Sequence, residues 1–137
     1  MTNTLDRDIF HLLQQKNRYI KKHMDTGLSG FQLHLSQWSI LYCLDQFGPM
    51  TQTAIKDYLN VEAPTITRTI EKLEKNGWVT RQPGQDKRAR IIEISEAGKK
   101  DLGGIAAQVG NMETELLDQF TEEEKTTLYH LLQKINL

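Results

Sequence analysis

Residues 64–77 read PTITRTIEKLEKNG, and the placement of their apolar side chains decides how the rest of the chain is understood. At about 100° per residue, Ile66, Ile70 and Leu73 fall within a narrow arc and must face a core. Thr65, Arg68, Lys72 and Lys75 then point the opposite way. Pro64 suits a first helical turn, where its missing N–H would have no intrahelical partner, and Gly77 closes the segment. A short helix whose outer face mixes hydroxyls with cations can enter a major groove. There Arg grips guanine O6 and N7, and Thr touches a thymine methyl or a phosphate. An ordinary solvated helix presents the same kind of face, here with Glu71 and Glu74 as local partners. The helix alone leaves both readings open.

Its neighbours favour the groove. Upstream, Thr51 can cap a short helix with Ala54, Ile55, Tyr58 and Leu59 inward, and Asn60 with Val61 makes the break before the next helix. Two short helices joined by a tight turn are the skeleton of a helix-turn-helix. Downstream the pattern changes to β-type runs, Trp78 to Gln82 and Arg90 to Ile94, separated by Pro83, Gly84, Gln85, Asp86 and Lys87. That is a hairpin whose tip bears Lys87, Arg88 and Arg90. An arginine on a thin loop can reach a narrow minor groove while the adjacent helix lies in the major groove. The order of elements is that of a winged helix-turn-helix.

The flanks are helical. From Leu5 to Met24 apolar residues recur at three- and four-residue steps, the stripe of an amphipathic helix, until Gly27, Ser29 and Gly30 interrupt it. Ser36 offers an N-cap for a second helix with Trp38, Leu41, Leu44 and Phe47, stopped by Gly48 and Pro49. Ser95 caps a long helix carrying Leu102, Ile105, Ala106, Val109, Met112, Leu116, Leu117 and Phe120. Thr121 and Glu124 form a capping box for a last helix with Leu128, Leu131, Leu132 and Ile135 inward. The expected fold is mainly α with a small β wing in a single domain, 1–137. Residues 36–95 form the winged helix-turn-helix DNA-binding lobe, and 1–35 with 96–137 form a helical dimerisation region. An amphipathic helix of about 25 residues is about 37 Å long, more than so small a lobe can cover, so pairing with a second copy is the natural solution.

The net charge of −1 over 137 residues hides a segregation. Between Lys56 and Arg90 eight basic residues stand against five acidic ones, a balance of +3, while the remainder sits at −4. A basic centre with acidic arms suits a protein that presents only its middle to a polyanion. The longest apolar run, Ile40 to Leu44, cannot span a membrane, and Asp6, Arg7 and Asp8 rule out a signal-peptide core within the first ten residues. A single cysteine, Cys43, suits a reducing interior, so a cytoplasmic location is expected, and a free cysteine is most often a small buried hydrophobe. The histidines His11, His23, His34 and His130 have no zinc-site spacing. With neither a phosphate-cradling glycine loop nor a nucleophile elbow, no cofactor and no enzymatic activity are expected. A winged domain used only for protein contact would show an apolar recognition helix, and this one is polar and basic.

Taken in order, Gly48-Pro49-Met50-Thr51 to Leu59, Pro64 to Arg68, Leu73 to Val79, Asp86-Lys87-Arg88 and Ile94 to Gly98 resemble the MarR family of bacterial transcriptional regulators, and the likeness spans nearly the whole chain. The resemblance implies a homodimer with interlocked terminal helices that binds a palindromic double-stranded DNA operator, usually as a repressor released by a small aromatic or amphipathic effector. It places recognition-helix contacts on Thr65, Thr67 and Arg68; Lys72, on the outer face of the same helix, is read from its charge and position as a phosphate contact. It makes Arg88, flanked by Lys87 and Arg90, the minor-groove reader, and Asp86 the residue that holds the wing in shape by pairing with a nearby cation. The chain departs from the pattern at Glu62 and Ala63, where family members often have a small polar cap. An effector crevice would fall near His34, Trp38 and Tyr42; these aromatics equally fit an ordinary core or interface.

Overall fold

The computed structural model describes residues 3–83 and 89–137. Within them the chain runs α1 (Thr4–Leu28), a 3-10 turn (Ser29–Phe31), α2 (Leu35–Phe47), β1 (Met50–Thr51), α3 (Gln52–Leu59), α4 (Ala63–Lys75), β2 (Val79–Arg81), β3 (Ile91–Ile94), α5 (Glu96–Leu116) and α6 (Glu122–Gln133). The strands form one antiparallel sheet in the order β1-β3-β2. Met50 faces Ile92 across one edge, and Val79 faces Ile94 across the other. The sequence predicts β2 and β3 but not β1, whose two residues are too few to show an alternation.

The core is built where the elements converge. Ile40, Leu41 and Leu44 of α2, Ile55 of α3, Ile66, Ile70 and Leu73 of α4, and Val79, Ile92 and Ile94 of the sheet are all buried together. Met24 and Leu28 of α1 and Ile105, Val109 and Met112 of α5 extend the same cluster into the helical region. Gly77, at φ +84°, turns the chain out of α4, and the Trp78 N–H returns to the Leu73 carbonyl at 2.9 Å. Ser95 then does two jobs. Its hydroxyl accepts the Gly98 N–H at 2.9 Å as the cap of α5, and it also donates to the Gly77 carbonyl, fastening the base of the wing to the end of α4.

Several local details depart from the sequence reading. The chain remains helical through Gly27, and the glycine there lets α5 come close: a Cβ at Gly27 would lie 1.9 Å from Met112 Sδ. The cap of α2 is His34, not Ser36, and its backbone N–H donates to Gln37 Oε1 at 2.9 Å. Tyr58 and Ala54 face outward rather than into the core, and Tyr58 packs edge-on against the exposed ring of Phe47 at 5.0 Å between centroids. On α5, Ala106 is exposed. The helix stops at Leu116, and Phe120 beyond it is also exposed.

The terminal helices leave their stripes open. Leu5, Ile9, Phe10, Leu12, Tyr19 and Ile20 of α1 are exposed, and α6 has no buried residue at all. Among the described residues, no helix is long and apolar enough to cross a membrane.

Candidate nucleic-acid interface

The three inward residues of α4 seat the helix against α2, α3 and β2, as the period of the sequence requires. Its N-terminus is capped by no side chain. Glu62 stands at the cap position, where its carbonyl accepts the Ile66 N–H at 3.0 Å but its side chain makes no cap bond, and Pro64 occupies the first turn. Thr65, Arg68, Lys72 and Lys75 are all exposed, so hydroxyl, guanidinium and two ammonium groups share the outer face. Lys72 and Lys75 lie in the last turn, where they also oppose the negative end of the helix dipole.

Thr67 is placed differently. It is half-buried, its hydroxyl donates to the Ala63 carbonyl at 2.9 Å, and it accepts the Gln52 amide Nε2 at 2.6 Å. The side chain therefore ties α4 to α3, and its only hydroxyl proton is spent inside the protein. Sequence reasoning misses Gln52, since a glutamine in a first helical turn carries no signal of burial.

Of the wing residues, Asp86, Lys87 and Arg88 lie outside the described residues. Arg90 is half-buried and already engaged within the molecule. Arg81, which contributes to the basic balance of the central region, turns inward instead. Only 5% of its side chain is exposed, and its Nε lies 3.8 Å from Glu74 Oε2 of α4. Strand alternation explains this, because Arg81 shares a face with the buried Val79 two residues earlier.

His34, Trp38 and Tyr42 follow one another at four-residue steps along α2, but their surroundings differ. Trp38 is buried in the core cluster, while His34 and Tyr42 are exposed. The rings of Trp38 and Tyr42 are tilted at 48° with centroids 6.2 Å apart. Beside His34 lies Asp25, a residue that no motif in the sequence marks. Asp25 Oδ1 accepts the Leu35 N–H at 2.7 Å, and Oδ2 sits 2.8 Å from Lys21 Nζ and 3.8 Å from His34 Nδ1. A carboxylate of α1 thus caps α2 across ten residues. Burial pushes the Asp25 carboxyl up, but the Leu35 N–H, Lys21 and His34 together outweigh it and hold the group below its usual range. Cys43 is fully buried, and burial pushes its thiol up. Among the described residues, no group of three His, Cys, Asp or Glu side chains could hold a metal ion.

The family model named MarR family matches residues 33–89, from the turn before α2 to just short of β3. Over 129 residues the chain is 44% identical to the uncharacterized HTH-type transcriptional regulator YwoH of Bacillus subtilis (strain 168), with 94% of each chain covered. Among solved structures it is similar to a probable transcriptional regulator from Pseudomonas aeruginosa, with TM-score 0.84, 28% identity and 96% and 99% of the two chains covered. It is also similar in fold to a cysteine-to-serine mutant of MarR from E. coli complexed with operator DNA, with TM-score 0.85, 24% identity and 99% and 100% covered.

Proposed function

Because this chain belongs to the MarR family of DNA-binding transcriptional regulators, we propose that it acts in the cytoplasm as a homodimer that represses transcription by sitting on a palindromic operator. The observation that carries this reading is the outer face of α4. Buried Ile66, Ile70 and Leu73 lock the helix onto the lobe, and Thr65, Arg68, Lys72 and Lys75 are left exposed on a face free of large apolar side chains. Arg68 reads base edges in the major groove, Thr65 and Lys72 hold phosphates, and Arg88, supported by Lys87 and Arg90, enters the minor groove. Asp86 holds the wing in shape. Two copies related by a two-fold axis read two half-sites, and the exposed stripes of α1 and α6 supply the contact between copies. A small aromatic or amphipathic effector, received beside His34 and Tyr42 over the buried Trp38, releases the protein from DNA.

The test is titration of Arg68→Ala, Arg88→Ala and Lys72→Ala against an operator selected from a genomic DNA pool, at several salt concentrations. Arg68→Ala should lose about 1 to 3 kcal/mol per bidentate contact and relax preference at one position of each half-site. Arg88→Ala should weaken binding most where the flanks are A·T-rich. Lys72→Ala should weaken all sequences alike and lower the salt slope by roughly one unit for each phosphate it no longer neutralises. Unchanged affinity for Arg68→Ala and Arg88→Ala together would remove this mode of binding.

A further inference from the structure

We infer that Gln52 is a positioning residue for DNA recognition: through Thr67, its side-chain amide fixes the angle at which α4 is held against α3 and so presented to the groove. The inference rests on the reading of α4 as the recognition helix.

Gln52 is the first residue of α3 and only 3% exposed, a depth of burial unusual for an uncharged polar side chain. Its Nε2 donates to Thr67 Oγ1 at 2.6 Å, and the Thr67 hydroxyl donates in turn to the Ala63 carbonyl at 2.9 Å. Thr67 has one proton, and the Ala63 carbonyl takes it. With that proton on the Ala63 carbonyl, the group facing the hydroxyl is the amide nitrogen. The relay starts on α3, passes through the second turn of α4 and ends on the first residue of α4, beside Glu62, which makes no side-chain cap.

The other end of the amide is the telling one. Gln52 Oε1 is buried with no hydrogen-bond partner among the described residues. A buried orphan acceptor is costly, so for stability alone an unbranched apolar side chain of the same length would serve better. What the amide adds is direction. Apolar packing between α3 and α4 is non-directional and tolerates a small rocking of one helix on the other; a short hydrogen bond does not. Arg68 follows Thr67 directly in the chain, so any rocking at this joint is carried outward along the long arginine side chain to the bases.

The experiment compares Gln52→Met, Thr67→Val, the double variant and Thr67→Ser with the parent protein, using thermal midpoint and affinity for the selected operator and for an unrelated duplex of equal length. Arg68→Ala runs alongside. Gln52→Met should keep or raise the midpoint while the preference for operator over unrelated DNA falls roughly tenfold, the effect of about one imperfect base contact. Thr67→Val should lose a similar factor, the double variant should be no worse than either single one, and Thr67→Ser, which keeps the hydroxyl, should match the parent. Should Gln52→Met fail to fold, the Thr67→Val and Thr67→Ser pair carries the same contrast.

Three results would overturn the inference. One is an unchanged operator preference in Gln52→Met. Another is a fall in midpoint with equal losses on both DNAs, which marks a structural role only. The third is a Thr67→Val loss much larger than that of Gln52→Met and additive with it, which would make Thr67 itself the DNA contact. If Arg68→Ala leaves the preference intact, the recognition-helix reading falls and the inference with it; if Arg68→Ala lowers it but Gln52→Met does not, only the role of Gln52 falls.

Discussion

The proposed dimer can be attacked at α6, a helix with no fully buried residue in its own chain. Leu131 and Leu132 are 53% and 45% exposed there, so roughly half of each residue is available for a second copy to cover. Fully burying a leucine stabilises by about 1.5–3 kcal/mol, and covering the remaining half is worth about 1 kcal/mol. The double variant Leu131→Ala, Leu132→Ala removes two such contributions from each protomer, about 4 kcal/mol per dimer, or about a thousandfold in the dimer dissociation constant. Alanine is the strongest helix former, and neither leucine is part of the core cluster, so α6 and the lobe should keep their structure. Sedimentation equilibrium across a concentration series measures the constant directly, and circular dichroism checks the helix content. A parent protein that is monomeric at micromolar concentration would refute the reasoning outright. A variant whose dissociation constant stays within about threefold of the parent's would show that α6 does not face the second copy.

The capping carboxylate predicts a pH signature. Asp25 is held below its usual range in the folded chain, so its contribution is present above the unfolded carboxyl value of about 3.9 and is lost as pH falls through the folded value. Asp25→Ala should cost about 0.5–2 kcal/mol in urea unfolding at neutral pH and flatten the acid limb of the stability curve; an unchanged acid limb would deny Asp25 that role. Cys43, fully buried with its thiol pushed up, should react with a thiol reagent no faster than the protein unfolds, and Cys43→Ser should leave peroxide sensitivity of DNA binding unchanged. Gly27→Ala forces the Met112 side chain to shift and should lower the thermal midpoint by the overpacking cost less the helix-propensity gain of about 1 kcal/mol; in a Met112→Ala background, itself less stable, the same substitution should cost less or stabilise.

How far the sequence reaches is clearest in α4. The 3.6-residue period names Ile66, Ile70 and Leu73 as the buried set, and all three are buried, because three apolar residues in one arc leave the helix a single way to face a core. The period says nothing to separate Thr65 from Thr67. Both lie about 100° from Ile66 on opposite flanks, and the difference arises only because α3 packs along one flank and brings Gln52 to Thr67. The Asp25 cap on Leu35 is invisible for the same reason, since it depends on the turn that folds α1 back beside α2. The inward turn of Arg81 is legible in the sequence: alternation from Val79 puts it on the inner face, and counting it as a surface cation ignores that period. Local spacing thus fixes which way a residue points within its own element, while a partner on another element decides whether a flank position is surface or joint. Applied to α4, this leaves Thr65, Arg68, Lys72 and Lys75 on the exposed side and puts Thr67 at the contact with α3.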